Sequence, residues 1–200
     1  MPELDDISDL NLTNEVDLLE IHPNINFIFL PSDTESYTPK TKLNETIRIA
    51  HAPTNRHYKG SNLIINLCRK LADEGLIHFD LIENVPHQDA IKRKQAADIF
   101  IDQIGDKGGW GYGMNSVESL SMGICTLAEM NQKYCEFLPD HPFLNINEMT
   151  FETVLKQLIN NRSKILDYGR KGKEWVDKYH HFSGVQKTLY TYYREIGLPA

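Results

Sequence analysis

Three short stretches carry side chains that could do chemistry. In "HAPTNRHYKG", His51 to Gly60, the cations Arg56 and Lys59 and the imidazole of His57 crowd one junction between an apolar alternation and a helical pattern. In "GGWGYGMNSVES" the glycines Gly108, Gly109, Gly111 and Gly113 precede a helix that carries Glu118 about one turn in. In "LIENVPH" Glu83, Asn84 and Val85 follow a strand. A helix N-terminus presents backbone N–H groups and the positive end of a dipole, and Arg56 and Lys59 add mobile positive charge beside it, which suits a diphosphate better than a single carboxylate. The phosphate loop GxxxxGK[ST] is missing. Glycines let backbone approach a ligand closely, and a carboxylate at Glu118 could accept hydrogen bonds from two vicinal hydroxyls, as acids do with ribose in dinucleotide folds. Backbone at Glu83–Val85 could meet the edge of a base. Each stretch also has a plain alternative, a solvated polar loop with its charges facing water.

The elements that would position these residues are regular from Ile47 onward. "IRIAHA" sets Ile47, Ile49 and His51 against Arg48 and Ala50, the two-residue period of a strand. "SNLIINLCRKLADEG" places Leu63, Ile64, Leu67, Cys68, Leu71 and Ala72 at helical spacing, with Ser61 or Asn62 as N-cap and Gly75 as stop. A strand "IHFDLIE", a helix "PHQDAIKRKQAA" with Pro86 near its start, a strand "DIFID", a helix "MNSVESLSMG" ending at Gly123 and a strand "ICTLAE" follow. Alternation of this kind predicts an α/β fold with a parallel sheet and right-handed crossovers. The short, largely apolar strands predict helices on both faces. Beyond residue 149 the chain reads as three helices, the last rich in tyrosine (Tyr190, Tyr192, Tyr193) and expected to pack back on this domain or on another. Residues 1–23 are acidic with no clear core face and read as a leader or interdomain remnant. "NINFIFLPSD" reads as a short buried strand closed by Pro31. The expected division is 1–23, then a domain over 24–182, then a C-terminal helix over 183–200.

Composition narrows the function classes. The 200 residues suit one α/β domain with a sizeable core, or a domain plus an extra segment, and the net charge of −7 argues against sequence-independent nucleic-acid binding, which needs a basic field. Cys68, Cys125 and Cys135 are odd in number and far apart, without CxxC, which points to a reducing, cytoplasmic compartment. No run approaches the roughly 20 apolar residues of a membrane span, and the acidic "MPELDDISDL" lacks the form of a secretory signal.

Taken together, the three stretches resemble the C-terminal donor-binding domain of GT-B glycosyltransferases, specifically the retaining group often called family 4. The resemblance covers about Phe27 to Phe182. Arg56 and Lys59-Gly60 match the family's arginine and Lys-Gly that bind the donor diphosphate, with a shorter gap than in many members. The signature E-G-F-G-x-P-x-L-E-A-M-A-x-G-x-P is similar to "WGYGMNSVESLSMGIC", in which Gly111, Tyr112, Gly113, Val117, Glu118, Ser119, Leu120, Ser121, Met122 and Gly123 fall in step. "ADIFIDQ" resembles the family's "ADVFVxPS" strand. The family's second glutamate, which binds ribose, corresponds to Glu118. Its first, which contacts the transferred sugar, falls on Trp110, and Asp102 or Gln103 is the candidate to compensate. The usual prolines are replaced by Asn115 and Cys125.

The resemblance implies a Rossmann-like parallel sheet, one half of a GT-B architecture. It implies transfer of a glycosyl group from a nucleoside diphosphate sugar to an acceptor hydroxyl, in glycan or polysaccharide synthesis. Arg56 and Lys59 are the expected catalytic residues, stabilising charge on the leaving diphosphate. Gly60, Glu83, Asn84, Val85, Gly111, Tyr112, Gly113, Met114 and Glu118 are the expected donor contacts. No cofactor is expected. No metal is expected either, since the chain has no DxD and no pair of histidines at i, i+4 beside a glutamate. His51 and His57 are expected as structural or donor-positioning neighbours of the diphosphate, with a base as the alternative. Glu129 and Met130 would border the cleft or lie on a surface loop. The family pairs this domain with an N-terminal acceptor-binding domain, for which residues 1–45 are too few. The expectation is therefore a donor-binding part of a longer enzyme, incomplete for catalysis and peripherally associated with a membrane at full length, or a stand-alone module. The rivals are a sugar-nucleotide epimerase on the same architecture, a binding module without turnover, and a flavodoxin-like signalling domain that binds no phosphate.

Overall fold

The computed structural model describes residues 7–105, 107 and 111–199. Gly108, Gly109 and Trp110 therefore lie outside the described residues. A five-stranded, all-parallel sheet has the order β4-β3-β5-β6-β7, with β3 Arg48–His51, β4 His78–Leu81, β5 Ile99–Ile101, β6 Cys125–Ala128 and β7 Leu144–Asn145. Helix α1 (Ser61–Asp73) joins β3 to β4, α2 (His87–Gln95) joins β4 to β5, and α3 (Met114–Ser121) joins β5 to β6. The short α4 (Gln132–Phe137) precedes β7, and α5 (Phe151–Asn160), α6 (Arg162–Tyr179) and α7 (Phe182–Glu195) end the chain.

The sheet is covered on both faces because its strands alternate between two cores. Ile49, Ile99, Ile101 and Leu127 pack with Ile64, Cys68 and Leu71 of α1 and with Phe151 and Leu155 of α5. Ala50 and Phe100 point the other way, toward Ala90 and Ile91 of α2. A third cluster sets Val117 and Leu120 of α3 against Trp175 and Val176 of α6. Each fully buried Ile or Leu contributes about 1.5–3 kcal/mol, so these interleaved rows, rather than surface ion pairs, hold the layers. Strand order reverses between β3 and β5: the chain steps outward from β3 to β4, then crosses back to β5. In open α/β sheets the crevice at such a reversal, outside the strands' carboxyl ends, is where ligands bind. The loops after β3 and β5 are the two chemically marked ones.

Several expectations need correction. The N-cap of α1 is neither Ser61 nor Asn62 but Gly60, with Ser61 as first helical residue. Gly75, at φ 75, does follow the helix end. The strand expected over "NINFIFLPSD" spans only Ile25–Phe27 (β2), is half-buried, and pairs in parallel with β1 (Asn11–Thr13) as a separate two-stranded sheet. The acidic N-terminal segment has a core face after all: Thr13, Val16 and His22 are buried, and Val16 packs with Tyr134 and Trp175. The last helix lies on this domain, where the Tyr192 hydroxyl donates to the Phe27 carbonyl at 2.7 Å. Among the described residues no helix is long and apolar enough to cross a membrane, and all three cysteines are free.

Helix α6 can approach the sheet because of Gly169. A Cβ there would stand 2.1 Å from the Gly123 carbonyl oxygen, a backbone atom with no freedom to turn aside. Gly169→Ala is expected to lift α6 from the start of β6 at a cost of about 1–3 kcal/mol, read as a lower midpoint of denaturant unfolding. An unchanged midpoint would contradict the close approach.

Candidate functional site

The loop after β3 is built on a buried histidine. His51 is fully enclosed, its Nδ1–H donating to the Ile101 carbonyl and its Nε2 accepting from the Ser61 hydroxyl, both at 2.8 Å. Burial pushes its pKa below the usual histidine value. With both ring nitrogens spent on β5 and the start of α1, His51 is a strut rather than a base. The chain then turns through Asn55–Gly60, with Lys59 N–H bonded to the Asn55 carbonyl and Ser61 N–H to the Arg56 carbonyl. Gly60 sits at φ 61, and a Cβ there would fall 1.9 Å from the Ile104 carbonyl oxygen. Only glycine fits, in conformation and in space. The Ile104 N–H donates to the Lys59 carbonyl at 3.2 Å, so the two loops are joined through backbone.

They are joined more firmly through Asp102. Its buried carboxylate accepts from Lys59 Nζ at 2.7 Å through Oδ1, and from the Ser116 hydroxyl at 2.7 Å and Gly113 N–H at 3.3 Å through Oδ2. Lys59 Nζ also donates to Gln103 Oε1 at 3.0 Å, and Gln103 Nε2 donates to the Gly111 carbonyl at 2.6 Å. Lys59 thus stands at the N-terminus of α3, its Nζ 3.9 Å from where a Cβ on Gly113 would lie. The sequence suggested Asp102 or Gln103 as substitutes for a sugar contact; both are engaged in setting Lys59 against α3.

The other expected residues follow the same edge. Arg56 is more than half exposed and grips Glu83 in a two-pronged pair, Nε to Oε1 at 2.7 Å and Nη2 to Oε2 at 2.5 Å. That hydrogen bonding holds the Glu83 carboxyl below its usual range. Asn84 takes a left-handed conformation, φ 54, and Val85 is partly exposed. A cavity of ≈540 Å³ lies among Pro53, Thr54, Arg56, Glu83 and Asn84, and one of ≈420 Å³ among Thr54, Asn55, Tyr58, Lys59 and Gln103. A third, of ≈570 Å³, opens on the α1 side of Arg56, with His57, Lys107 and Glu129 in its wall. Glu129 also accepts from the Gly105 N–H at 2.6 Å. Met130 is buried and does not border the cleft.

Glu118 meets the ammonium of Lys94 through Oε2 and His87 Nε2 through Oε1, the latter at 2.8 Å. Lys94 also donates to Asn115 Oδ1 at 2.6 Å, and Asn115 Nδ2 donates to the Ala52 carbonyl at 3.0 Å, in the loop after β3. Met114, the first residue of α3, is exposed. Tyr112 keeps its backbone at the rim, but its ring turns inward among Tyr134, Phe143 and Trp175. Arg56, Lys59, Glu83 and Glu118 therefore share one edge of the sheet. Sequence reasoning did not single out Lys94 or Ser116, and named Asn115 only as a replaced proline. The one available signal was that Lys94 falls on the same helix face as Ala90 and Ile91, at i+4 and i+3. Among the described residues no three His, Cys, Asp or Glu side chains group to hold a metal ion.

Neither protein families nor curated protein sequences yield a match to this chain. Solved structures do match by fold. A mutant of S. aureus TarM, in complex with fondaparinux, alpha-GlcNAc-glycerol and UDP, superposes with a TM-score of 0.66 at 12% identity over 92% of this chain and 43% of its own. The GtfA/B complex gives 0.67 at 10% identity over 97% and 46%. An alpha-glucosyltransferase bound to UDP and to DNA containing an HMU base gives 0.61 at 12% identity over 92% and 65%. The chain thus has the α/β fold of GT-B glycosyltransferases, and spans less than half the length of the TarM and GtfA/B chains it matches.

The inward turn of Tyr112 creates a pH-sensitive prop. Its hydroxyl donates to His180 Nε2 at 2.7 Å, while His180 Nδ1–H donates to the Leu30 carbonyl at 2.8 Å. Burial lowers the His180 pKa to about 4. In the unfolded chain it would titrate near 6.5, so the unfolded state takes up the proton first. The stabilisation is complete above about pH 6.5 and is lost as pH falls toward 4. Chemical denaturation at pH 7.5 and pH 5 should show wild type losing about 2 kcal/mol more than His180→Gln. Equal losses would contradict a neutral, buried His180.

Proposed function

We propose that this chain is the donor-binding domain of a retaining glycosyltransferase, which moves a sugar from a nucleoside diphosphate sugar to an acceptor hydroxyl. The observation that carries this reading is the placement of Lys59 at the N-terminus of α3, on the same rim as Arg56 and Glu118. An ammonium has three donors. Lys59 gives two of them to Asp102 and Gln103 and lines the adjoining cavity, so a third remains for a phosphoryl oxygen. Arg56 is exposed and exchangeable; leaving Glu83, it would swing onto the diphosphate. Both cations and the α3 amides after Gly113, those of Met114 and Asn115, then neutralise the charge that grows on the leaving diphosphate as the glycosyl bond breaks. Glu118 accepts from the ribose hydroxyls, and the Glu83–Val85 backbone meets the base edge. Gly60, Gly111, Gly113 and the Tyr112 backbone bring main chain close to the donor. The acceptor would be held by a separate N-terminal domain. A binding module without turnover is the second reading, favoured by Trp110 where family 4 has its sugar-contacting glutamate.

Structural neighbours in complex with UDP make it the first probe. In calorimetric titrations, Lys59→Ala should weaken UDP binding about 10-fold or more, the worth of a hydrogen bond to a charged group, and leave uridine unaffected. Glu118→Ala should weaken both ligands. Equal affinity of the wild type for uridine and UDP would sink the diphosphate site.

A further inference from the structure

Glu118 has a partner that the nucleotide reading does not explain. Lys94 is 1% exposed, one of the largest fully enclosed side chains, and its ammonium lies 5.7 Å from the centre of the Phe100 ring while meeting Glu118 and Asn115. A buried ammonium persists only when paired and hydrogen-bonded. Replacing such a pair with apolar residues is often no less stable, so fold stability alone gives little reason for a lysine here. Its neighbours give a better one. Lys94 is on α2, which leaves the Glu83–Val85 loop, and Glu118 is on α3. Asn115 carries the link to Ala52, in the loop that leads to Arg56 and Lys59. One ammonium thus ties together all three segments of the rim. The two oxygens of Glu118 are unlike: Oε2 is held by the enclosed Lys94, whereas Oε1 faces His87, whose side chain is 70% exposed and free to turn into solvent.

We propose that Lys94 is a positioning residue for pentose recognition, fixing Oε2 and the rotamer of Glu118 so that its outer lone pairs meet the vicinal hydroxyls of a ribose once His87 swings aside. This rests on the nucleotide reading above. Lys94 itself touches no ligand; it acts through Glu118. A mere brace between α2 and α3 would affect stability without affecting which sugar the site prefers.

The test is a ratio. The tightest binder among UDP, ADP and GDP is titrated by calorimetry beside its 2′,3′-dideoxy counterpart, against wild type, Lys94→Met and Lys94→Arg. Any general damage to the diphosphate site cancels between the two ligands. The wild type should prefer the ribonucleotide about 10-fold or more, the worth of a charge-assisted hydrogen bond. Lys94→Met should bring the ratio to within about 3-fold of one, whatever it does to the affinity the two ligands share. Lys94→Arg should restore most of the preference. Should Lys94→Met fail to fold, Lys94→Gln, which keeps a donor toward Asn115, should lose the preference in the same way. An unchanged ratio in the Met or Gln variant, with only a lower melting temperature, would overturn the assignment and leave a brace. A wild-type ratio near one would overturn the ribose role of Glu118 and that of Lys94 with it. Absence of binding by all three nucleotides would overturn the nucleotide reading itself.

Discussion

The carboxylate of Asp102 is shared between a cation and the start of a helix, and the geometry of the rim depends on that sharing. One oxygen holds Lys59, from the loop after β3. The other holds the Ser116 hydroxyl and the Gly113 amide, at the mouth of α3. Strand β5 ends directly before Asp102, so the acid is delivered by the sheet rather than by a mobile loop. It is almost wholly buried, and a buried carboxylate left without its partners costs several kcal/mol. The two loops on either side of the strand-order reversal therefore stay in register with each other.

This arrangement also shows how the proposed anion site is compatible with an acidic chain. Lys59 is countered by Asp102 and Arg56 by Glu83, so neither cation stands unbalanced in the free chain. The two pairs differ in kind. Lys59 is mostly enclosed and keeps its partner while offering a further donor, whereas Arg56 is exposed and its pair is worth little in water. On the proposed function, exchange of Glu83 for a diphosphate at Arg56 would be inexpensive, and Lys59 would need no rearrangement. Preorganised charge at the point where negative charge develops is the form of catalysis that costs least at the moment of reaction.

Much of this fold was legible because its elements are periodic. Ile64, Cys68 and Leu71 announce α1, the alternation about Ile49 announces β3, and the short, largely apolar strands announce a sheet covered on both faces. That Arg56, Lys59 and Glu118 fall on one sheet edge was legible because their stretches follow strands β3 and β5. What was hidden lies in tertiary contacts. The rule favouring hydroxyl side chains at helix starts selects Ser61, but the nearness of the Ile104 carbonyl requires glycine one residue earlier, and the Ser61 hydroxyl is drawn to His51 instead. Lys94 sits in a run of three basic residues that reads as a solvated surface, yet α2 turns that one lysine inward. The two residues of β7 and the three of β1 carry too little pattern to be read at all. Position in a motif placed the Tyr112 backbone at the rim but said nothing of its ring, which the aromatic cluster claims.

The most direct measurement is the structure of this chain crystallised with UDP. The nucleotide should span the crevice between β3 and β5, with a phosphoryl oxygen at hydrogen-bond distance from both Lys59 Nζ and an α3 amide, the ribose hydroxyls on Glu118, and Asp102 still holding Lys59. A nucleotide seated elsewhere, or one in the crevice whose phosphates avoid Lys59 and whose ribose avoids Glu118, would contradict it.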